Sequence, residues 1–350
     1  LEVGTPVIEE VPGERQAVPR PLPGVEERAL HVLDARDGLW RLRYDMTAAL
    51  AERAEADQSE RLCYVTNVFR RAADGVPVEI WQVGAEYLGG YGAIADVECM
   101  ALAAGAYRLI GGGPLLLTVG QPALLRAAGP AGAEAVARLR RGDMVGALNE
   151  IAATRPSLRR LLEWRGYGAA LRSGLADGSL TDPWFDSEAG ADFLLMVRHL
   201  ESVMDGDQVL LDFTLVGSWD YYSGPVFELS RPGDGQPFGS GGRYRYPGKP
   251  ESTGFALDLG RLLPQLPQEE EEPAAIVVAV PAGASPERYW ERVELLRRAG
   301  YVVTTAGSRE EALRGPGGSI VEIGGDGEQW WRRQGSALQP EGVAAWQGIH

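Results

Sequence analysis

Apolar residues change their spacing several times along this chain, and each change predicts an element. Leu1–Glu10, LEVGTPVIEE, sets β-branched residues either side of Pro6 and reads as an extended segment. Pro12–Pro23 carries four prolines and few large apolar residues, which predicts a loop. Leu30–Asp34 and Leu39–Tyr44 alternate apolar and polar positions around Asp37-Gly38, a hairpin pattern. A helix over Met46–Ala56 follows, with Asp45 or Thr47 able to cap it. Arg61–Arg70 and Glu79–Tyr87 have strand character and are joined at Asp74-Gly75. Asp96–Leu109 predicts an alanine-rich helix with one apolar face, and Pro114–Val119 a short buried strand.

From Pro122 to about Glu201 the period becomes helical, with Leu124, Leu125, Val136, Leu139, Leu158 and Leu161 separated by Arg and Glu. Strands return at Val209–Val216 and continue to Thr253–Ala256, and Gly260–Leu263 ends a helix before Pro264. Gln268–Pro273, QEEEEP, reads as a solvated acidic linker. Beyond it, Ile276–Val280 is a buried-type strand. Ser285-Pro286-Glu287 supplies a cap, a proline and an acid for a helix that stops at Gly300. Tyr301–Thr305 is the return strand, so the unit is a small α/β domain with a parallel pair. Trp330, Trp331 and Trp346 read as packing residues of that short domain. The domain reading is a core from 1–121 and 202–266, a helical insertion over 122–201, a linker over 267–273 and a C-terminal domain over 274–350.

Composition narrows the function classes. The 350 residues are 45% hydrophobic and 24% charged, as in an ordinary globular protein. Formal net charge is −15, which argues against an extended nucleic-acid surface, since phosphate binding is driven by Lys and Arg. Cys63 and Cys99 form no CxxC, and His31, His199 and His350 have no metal-ligand spacing, so no metal is expected. So few scattered histidines also suggest no Ser-His-Asp arrangement. No apolar run reaches the length of a membrane span and no signal-peptide layout is visible, so no membrane association is expected and cytoplasm is the default location. Gly111–Gly113 and Gly239–Gly242 match neither GxGxxG nor a P-loop, and read as tight turns.

The chemistry-bearing stretch is Asp220–Glu228, DYYSGPVFE, with Phe238–Tyr244, FGSGGRY. Neighbouring strand residues point to opposite faces, so Tyr221 and Tyr222 share a core only if the backbone bends, and Gly224-Pro225 supplies a bend. Asp45 and Thr47 follow one strand and Arg70 ends another. Gln82, Gly84 and Glu86 share a face with a glycine gap between the polar pair, able to hold an ammonium or imidazole N–H. Taken alone, these residues leave two readings open: a small-molecule pocket, or a half-buried sheet with an ordinary hairpin.

In combination the segments resemble histidyl-tRNA synthetases. LRYDMTAAL (Leu42–Leu50), VFRR (Val68–Arg71), EIWQVGAEYLG (Glu79–Gly89), DYYSGPVFE, GGRY (Gly241–Tyr244) and GFALDLGRL (Gly254–Leu262) occur in that family's order, from about Thr5 to Leu263. TPVIE (Thr5–Glu9) looks like the end of the class II dimerisation motif, and the Arg70 and Arg261 segments resemble the second and third signature motifs. The resemblance implies an α+β fold: a class II synthetase-like antiparallel sheet flanked by helices, a helical insertion and an abbreviated anticodon-domain-like C-terminal α/β domain. It also implies that Asp45, Thr47, Arg70, Gln82, Glu86, Tyr221, Tyr222 and Tyr244 bind histidine.

Departures from the family's pattern point to a relative that is not an enzyme. Gly217 stands where synthetases have the arginine that activates the carboxylate, Ala72 stands for an adenine-contacting glutamate, and Val76 and Val78 replace basic residues. Each change removes a charge that would stabilise a phosphate or developing anion. Asp258, usually glycine in synthetases, is similar to the regulatory subunit family of ATP phosphoribosyltransferase, a synthetase paralogue. That resemblance implies no catalytic residue, no cofactor, the short-form catalytic subunit of ATP phosphoribosyltransferase as partner, L-histidine as effector of histidine biosynthesis, and a homodimer core within a hetero-oligomer. The alternatives are a histidyl-tRNA synthetase with a shortened anticodon domain, and a paralogue that binds another amino acid or protein.

Overall fold

The computed structural model describes residues 1–10, 28–35, 38–51, 53–55, 58–71, 77–204, 209–265, 275–279, 285–314, 318–324, 327–334 and 337–341. The Pro12–Pro23 loop, Asp37, Ala72, the Asp74-Gly75 turn, Val76, the Gln268–Pro273 segment, Val280, Trp346 and His350 lie outside the described residues. The chain divides into two compact units, Leu1–Pro267 and Gln268–His350.

The first unit is built on a long hairpin. β4 (Glu60–Arg71) and β5 (Pro77–Leu88) pair antiparallel from Glu60↔Leu88 to Arg71↔Pro77. This register puts Tyr64 opposite Gly84 and Leu62 opposite Glu86. β5 then pairs with β11 (Ser252–Asp258), β11 with β10 (Gly239–Tyr244), and β10 with β9 (Tyr222–Ser230), all antiparallel. β6 (Leu116–Gly120), β8 (Val209–Asp212) and the two-residue β7 (Arg165–Gly166) complete eight strands in the order β4-β5-β11-β10-β9-β6-β8-β7. Among these pairs only β6–β8 is parallel, and β11 runs on into the short helix α9 (Leu259–Leu262). A separate three-stranded sheet of β1 (Ile8–Glu10), β3 (Leu39–Leu42) and β2 (His31–Leu33) leads into α1 (Met46–Ala51). The fold is α+β.

One face of the large sheet is covered by α2 (Ala93–Leu109), whose Met100, Ala103 and Ala104 are fully buried, and its small side chains allow close approach to β11. The helical region consists of α3 (Pro122–Arg126), α4 (Pro130–Arg140), α5 (Met144–Thr154), α6 (Pro156–Glu163), α7 (Gly168–Ala176) and α8 (Glu188–Val203). Its apolar faces join the same core through Leu125, Leu158, Leu161 and Phe193. α8 packs on α2, and one ion cluster ties both to β10: Arg243 donates to Asp96 of α2 at 2.5 Å and to Asp192 of α8 at 2.6 Å. Asp96 is 1% exposed and also accepts from Thr253 at 2.8 Å.

Three sequence expectations change. The strand at Val209 stops at Asp212 rather than Val216, because the Asp212 carboxylate accepts from Thr214 N at 2.9 Å and turns the chain. Gly239–Gly242 is not a turn; it lies within β10, where Gly241 and Gly242 give room to Phe227 and Tyr222. Helix α2 begins at Ala93, three residues early, its first amide held by Asp192 Oδ1 at 2.9 Å. The Gly224-Pro225 bend is present inside β9. Tyr244 pairs with Tyr222 but Gly242 with Val226, so β9 carries extra residues opposite Arg243.

The second unit has a five-stranded sheet, β13 (Val302–Ala306), β12 (Ala275–Ala279), β14 (Ser319–Gly324), β15 (Gly327–Gln334) and β16 (Ala337–Glu341), in that order. β12 pairs parallel with both neighbours; β14–β15–β16 is an antiparallel meander. α10 (Pro286–Arg298), with Ser285 as N-cap, buries Tyr289, Val293 and Leu296 against Ile276 and Trp330. α11 (Arg309–Arg314) packs near β12, with Ala312 buried among Val277 and Ile320.

Candidate functional site

The sheet face opposite α2 holds a cavity of about 40 Å³ lined by Asp45, Thr47, Tyr64, Arg70, Gln82, Tyr221, Tyr222, Tyr244 and the backbone at Gly241, Gly242 and Gly254. The segment before α1 is fixed first. Arg43, 2% exposed, donates to Thr5 O at 2.5 Å and to Asn67 O at 2.7 Å, which locks Tyr44–Thr47 against β4. Asp45 caps α1, accepting from Ala48 N at 2.9 Å; Thr47 does not. The other oxygen of Asp45 accepts from Arg70 Nη2 at 3.3 Å and Tyr221 OH at 3.4 Å. Burial pushes the Asp45 carboxyl up, and the Arg70 guanidinium opposes that shift.

Glu86 sits behind this lining. Thr47 Oγ1 donates to Glu86 Oε1 at 2.6 Å, and Tyr244 OH donates to Oε2 at 2.8 Å. Burial raises its pKa to about 8, against the pull of those two hydroxyls. Gln82 and Glu86 do share a face of β5, but the gap at Gly84 is not left for a ligand. A Cβ there would meet the Tyr64 hydroxyl at 2.5 Å, so the glycine makes room for the Tyr64 ring. Tyr64 shows in the sequence only as an ordinary strand residue; its register opposite Gly84 gives it a place in the site.

The tyrosines form one aromatic cluster. Tyr221 stacks on Tyr246 at 5.3 Å and on Trp219 at 6.1 Å, and meets Tyr222 at 5.0 Å and Tyr244 edge-on at 5.8 Å. Arg70 lies over the other ring neighbour, with its guanidinium carbon 5.1 Å from the Trp219 centroid. Arg70 Nε also donates to Tyr44 O at 2.7 Å.

The turn that carries Trp219 to Tyr222 is held from the helical region. Arg126 of α3 donates to Tyr222 O at 2.6 Å; Arg140 of α4 donates to Gly217 O at 3.0 Å and Trp219 O at 2.6 Å and pairs with Asp220. Nothing in the spacing of Arg126 and Arg140 announces this role. Gly217 has φ +70°, and a Cβ on it would lie 2.7 Å from the Tyr222 ring. All eight residues proposed from the sequence therefore converge, seven on the lining and Glu86 behind it.

A family model described as histidyl-tRNA synthetase matches residues 3–262. An ATP phosphoribosyltransferase regulatory subunit from Thermus thermophilus is 33% identical, over 73% of this chain and 74% of its own length. A regulatory subunit from Bacillus licheniformis is 30% identical, over 73% and 71%. The chain belongs to the ATP phosphoribosyltransferase regulatory subunit family.

The family's fold is equally evident in solved structures. An ATP phosphoribosyltransferase regulatory subunit/histidyl-tRNA synthetase from Bacillus halodurans superposes with a TM-score of 0.68 at 25% identity, covering 87% of this chain and 83% of that one. Histidyl-tRNA synthetase from Nostoc superposes with a TM-score of 0.71 at 15% identity, covering 99% and 90%. The latter likeness is one of fold alone. Among the described residues, no group of three His, Cys, Asp or Glu side chains is placed to hold a metal ion, and no helix is long and apolar enough to cross a membrane.

Proposed function

We propose that this chain is the non-catalytic regulatory subunit of ATP phosphoribosyltransferase, acting with the short-form catalytic subunit in the first step of histidine biosynthesis. In this reading the tyrosine-lined cavity senses L-histidine and conveys feedback inhibition. The observation that carries it is the pairing of a polar, aromatic cavity with Gly217. Two carboxylates, an amide and hydroxyls converge there, groups that suit an ammonium and an imidazole N–H. Gly217 supplies no side chain, so no arginine acts from this position, and a Cβ there would lie 2.7 Å from the Tyr222 ring. Regulatory subunits from Thermus thermophilus and Bacillus licheniformis support the assignment. So does an ATP phosphoribosyl transferase complex solved from Thermotoga maritima, which shares the fold at a TM-score of 0.55 and 15% identity.

The cavity measures only about 40 Å³, so in this reading histidine enters by displacing side chains of its wall. Histidine regulates the partner only if it binds two assembly states with different affinity. Exposed Val7, Ile8, Val32, Leu33 and Leu39 on the small sheet and its approach suit a homodimer core. The test has two parts: calorimetric titration with L-histidine, and the catalytic subunit's activity with and without this chain and histidine. Equal activity and equal histidine sensitivity without the chain would overturn the reading.

The match to the histidyl-tRNA synthetase model favours one competing reading, a synthetase with a shortened anticodon domain. That reading requires histidine-dependent ATP–pyrophosphate exchange. With Gly217 in place of the arginine and Arg261 drawn toward Asp258 at 3.6 Å, none is expected.

A further inference from the structure

One hydroxyl of the aromatic cluster is left over. Tyr221 OH donates to Asp45 and Tyr244 OH donates to Glu86, but the buried Tyr246 hydroxyl has no hydrogen-bond partner among the described residues. The Tyr246 ring packs against the cluster that holds Tyr44, Trp219, Tyr221, Tyr222 and Tyr244. It stacks on Tyr221 at 5.3 Å and meets Tyr244 edge-on at 6.1 Å. Burial pushes the pKa of this hydroxyl up, and the carboxyl groups of Asp45 and Glu86 push it the same way, so the hydroxyl lies in the field of the site.

The backbone sets the place of this ring. Arg245 N donates to Tyr221 O at 2.9 Å, which continues the β9–β10 pairing past Tyr244. Tyr246 O then accepts from Lys249 N at 3.0 Å across a turn centred on Pro247 and Gly248, and Gly248 has φ +74°, as a type II turn requires. Lys249 Nζ donates to Ala54 O at 3.3 Å and ties the turn to the chain after α1. A phenylalanine on this turn would stack in the same way and bury no unpaired hydroxyl, which is a costly group to leave without a partner. A tyrosine suits a chain with a second state in which that hydroxyl is paired.

We propose that Tyr246 is a further ligand-recognition residue of this site: its hydroxyl is unpaired in the ligand-free chain and donates to an acceptor atom of the bound amino acid, a carboxylate oxygen or the bare imidazole nitrogen. Tyr246 does not line the cavity, but Tyr221 and Tyr244, the two rings it touches, do. A ligand that displaces either ring from the wall brings the Tyr246 hydroxyl into the enlarged space. The inference rests on the reading of the cavity as a histidine site, and adds to that site a residue two positions beyond the GGRY segment.

Tyr246→Phe in the full chain tests it, because the variant keeps the ring and removes only the hydroxyl. Two measurements are needed: urea denaturation without ligand, and calorimetric titration with L-histidine and with histamine, which lacks the carboxylate. The expected result is a urea midpoint equal to the parent's or higher, with histidine affinity lower by about threefold to tenfold. An equal loss with histamine supports the proposal and places the acceptor on the imidazole; a loss with histidine alone supports it and places the acceptor on the carboxylate. Histidine affinity within about twofold of the parent overturns the inference and leaves the histidine reading standing. A lower urea midpoint shows that the hydroxyl is already paired without ligand, and overturns it as well. Failure of the parent chain to bind histidine removes the histidine reading itself, and this inference with it.

Discussion

The Glu86 carboxylate occupies the space above Gly254: a Cβ at 254 would lie 1.9 Å from Oε2, so a side chain on β11 there displaces Glu86 from its two hydroxyl partners. The relationship repeats across the face. Gly84 clears Tyr64 and Gly242 clears Tyr222. The glycines of this sheet are seats for the large polar side chains of the site rather than hinges or phosphate loops.

Glu86 should make stability and binding depend on pH. Its folded pKa of about 8 lies above the ordinary 4.5, so between those values the folded chain holds a proton that the unfolded chain has released. Stability contributed by this group is therefore present at low pH and lost as pH rises toward about 8, a change on the order of a few kcal/mol. Urea midpoints at about pH 5.5 and about pH 8.5 check this. Glu86→Gln should gain on the parent at the higher pH. A cationic ligand favours the ionised form, so binding near neutral pH should release up to about one proton, read from calorimetric enthalpies in buffers of different ionisation enthalpy.

Restoring a cation at 217 should not restore an enzyme. The φ of +70° costs a non-glycine residue about 1–2 kcal/mol, and the added Cβ displaces Tyr222. Gly217→Arg should lower the melting temperature, abolish histidine binding, and show no ATP–pyrophosphate exchange.

Arg140 positions the tyrosine turn without lining the cavity. Arg140→Gln removes charged hydrogen bonds to the carbonyls of Gly217 and Trp219, each worth roughly 1.5–3 kcal/mol. Histidine affinity should fall by about tenfold or more. Amide exchange at Ser218–Tyr222 should rise, while exchange in β4 and β5 stays unchanged. Faster exchange throughout the first unit would mean a general loss of stability instead.

Arg243 is a fold residue rather than a ligand residue, although it lies next to Tyr244. Arg243→Met would leave Asp96 buried with a charge opposed only by Thr253, at a cost of about 3–5 kcal/mol. Asp96 has its pKa raised to about 6 by burial even with Arg243 present. Chemical denaturation should show the loss, and it should shrink as pH falls toward about 6, because without Arg243 the Asp96 carboxyl protonates at higher pH than it does in the parent.

The sequence by itself determined the element series, because period and turn chemistry are local properties. The β4–β5 hairpin, α2, the helical stretch from Pro122 and the capped start of α10 all follow from residue spacing. It also singled out eight residues that the structure brings to one cavity, through motifs whose order resembles a family. What only the tertiary structure decided is how those residues face each other, since cross-strand register and bulges depend on partners distant in sequence. Register put Tyr64 over Gly84 and closed a gap that spacing left open. The irregular pairing of β9 with β10 allowed both Tyr221 and Tyr222 to be buried. Arg126 and Arg140 approach the turn from positions 96 and 77 residues away from the carbonyls they hold, a relation that no local pattern encodes.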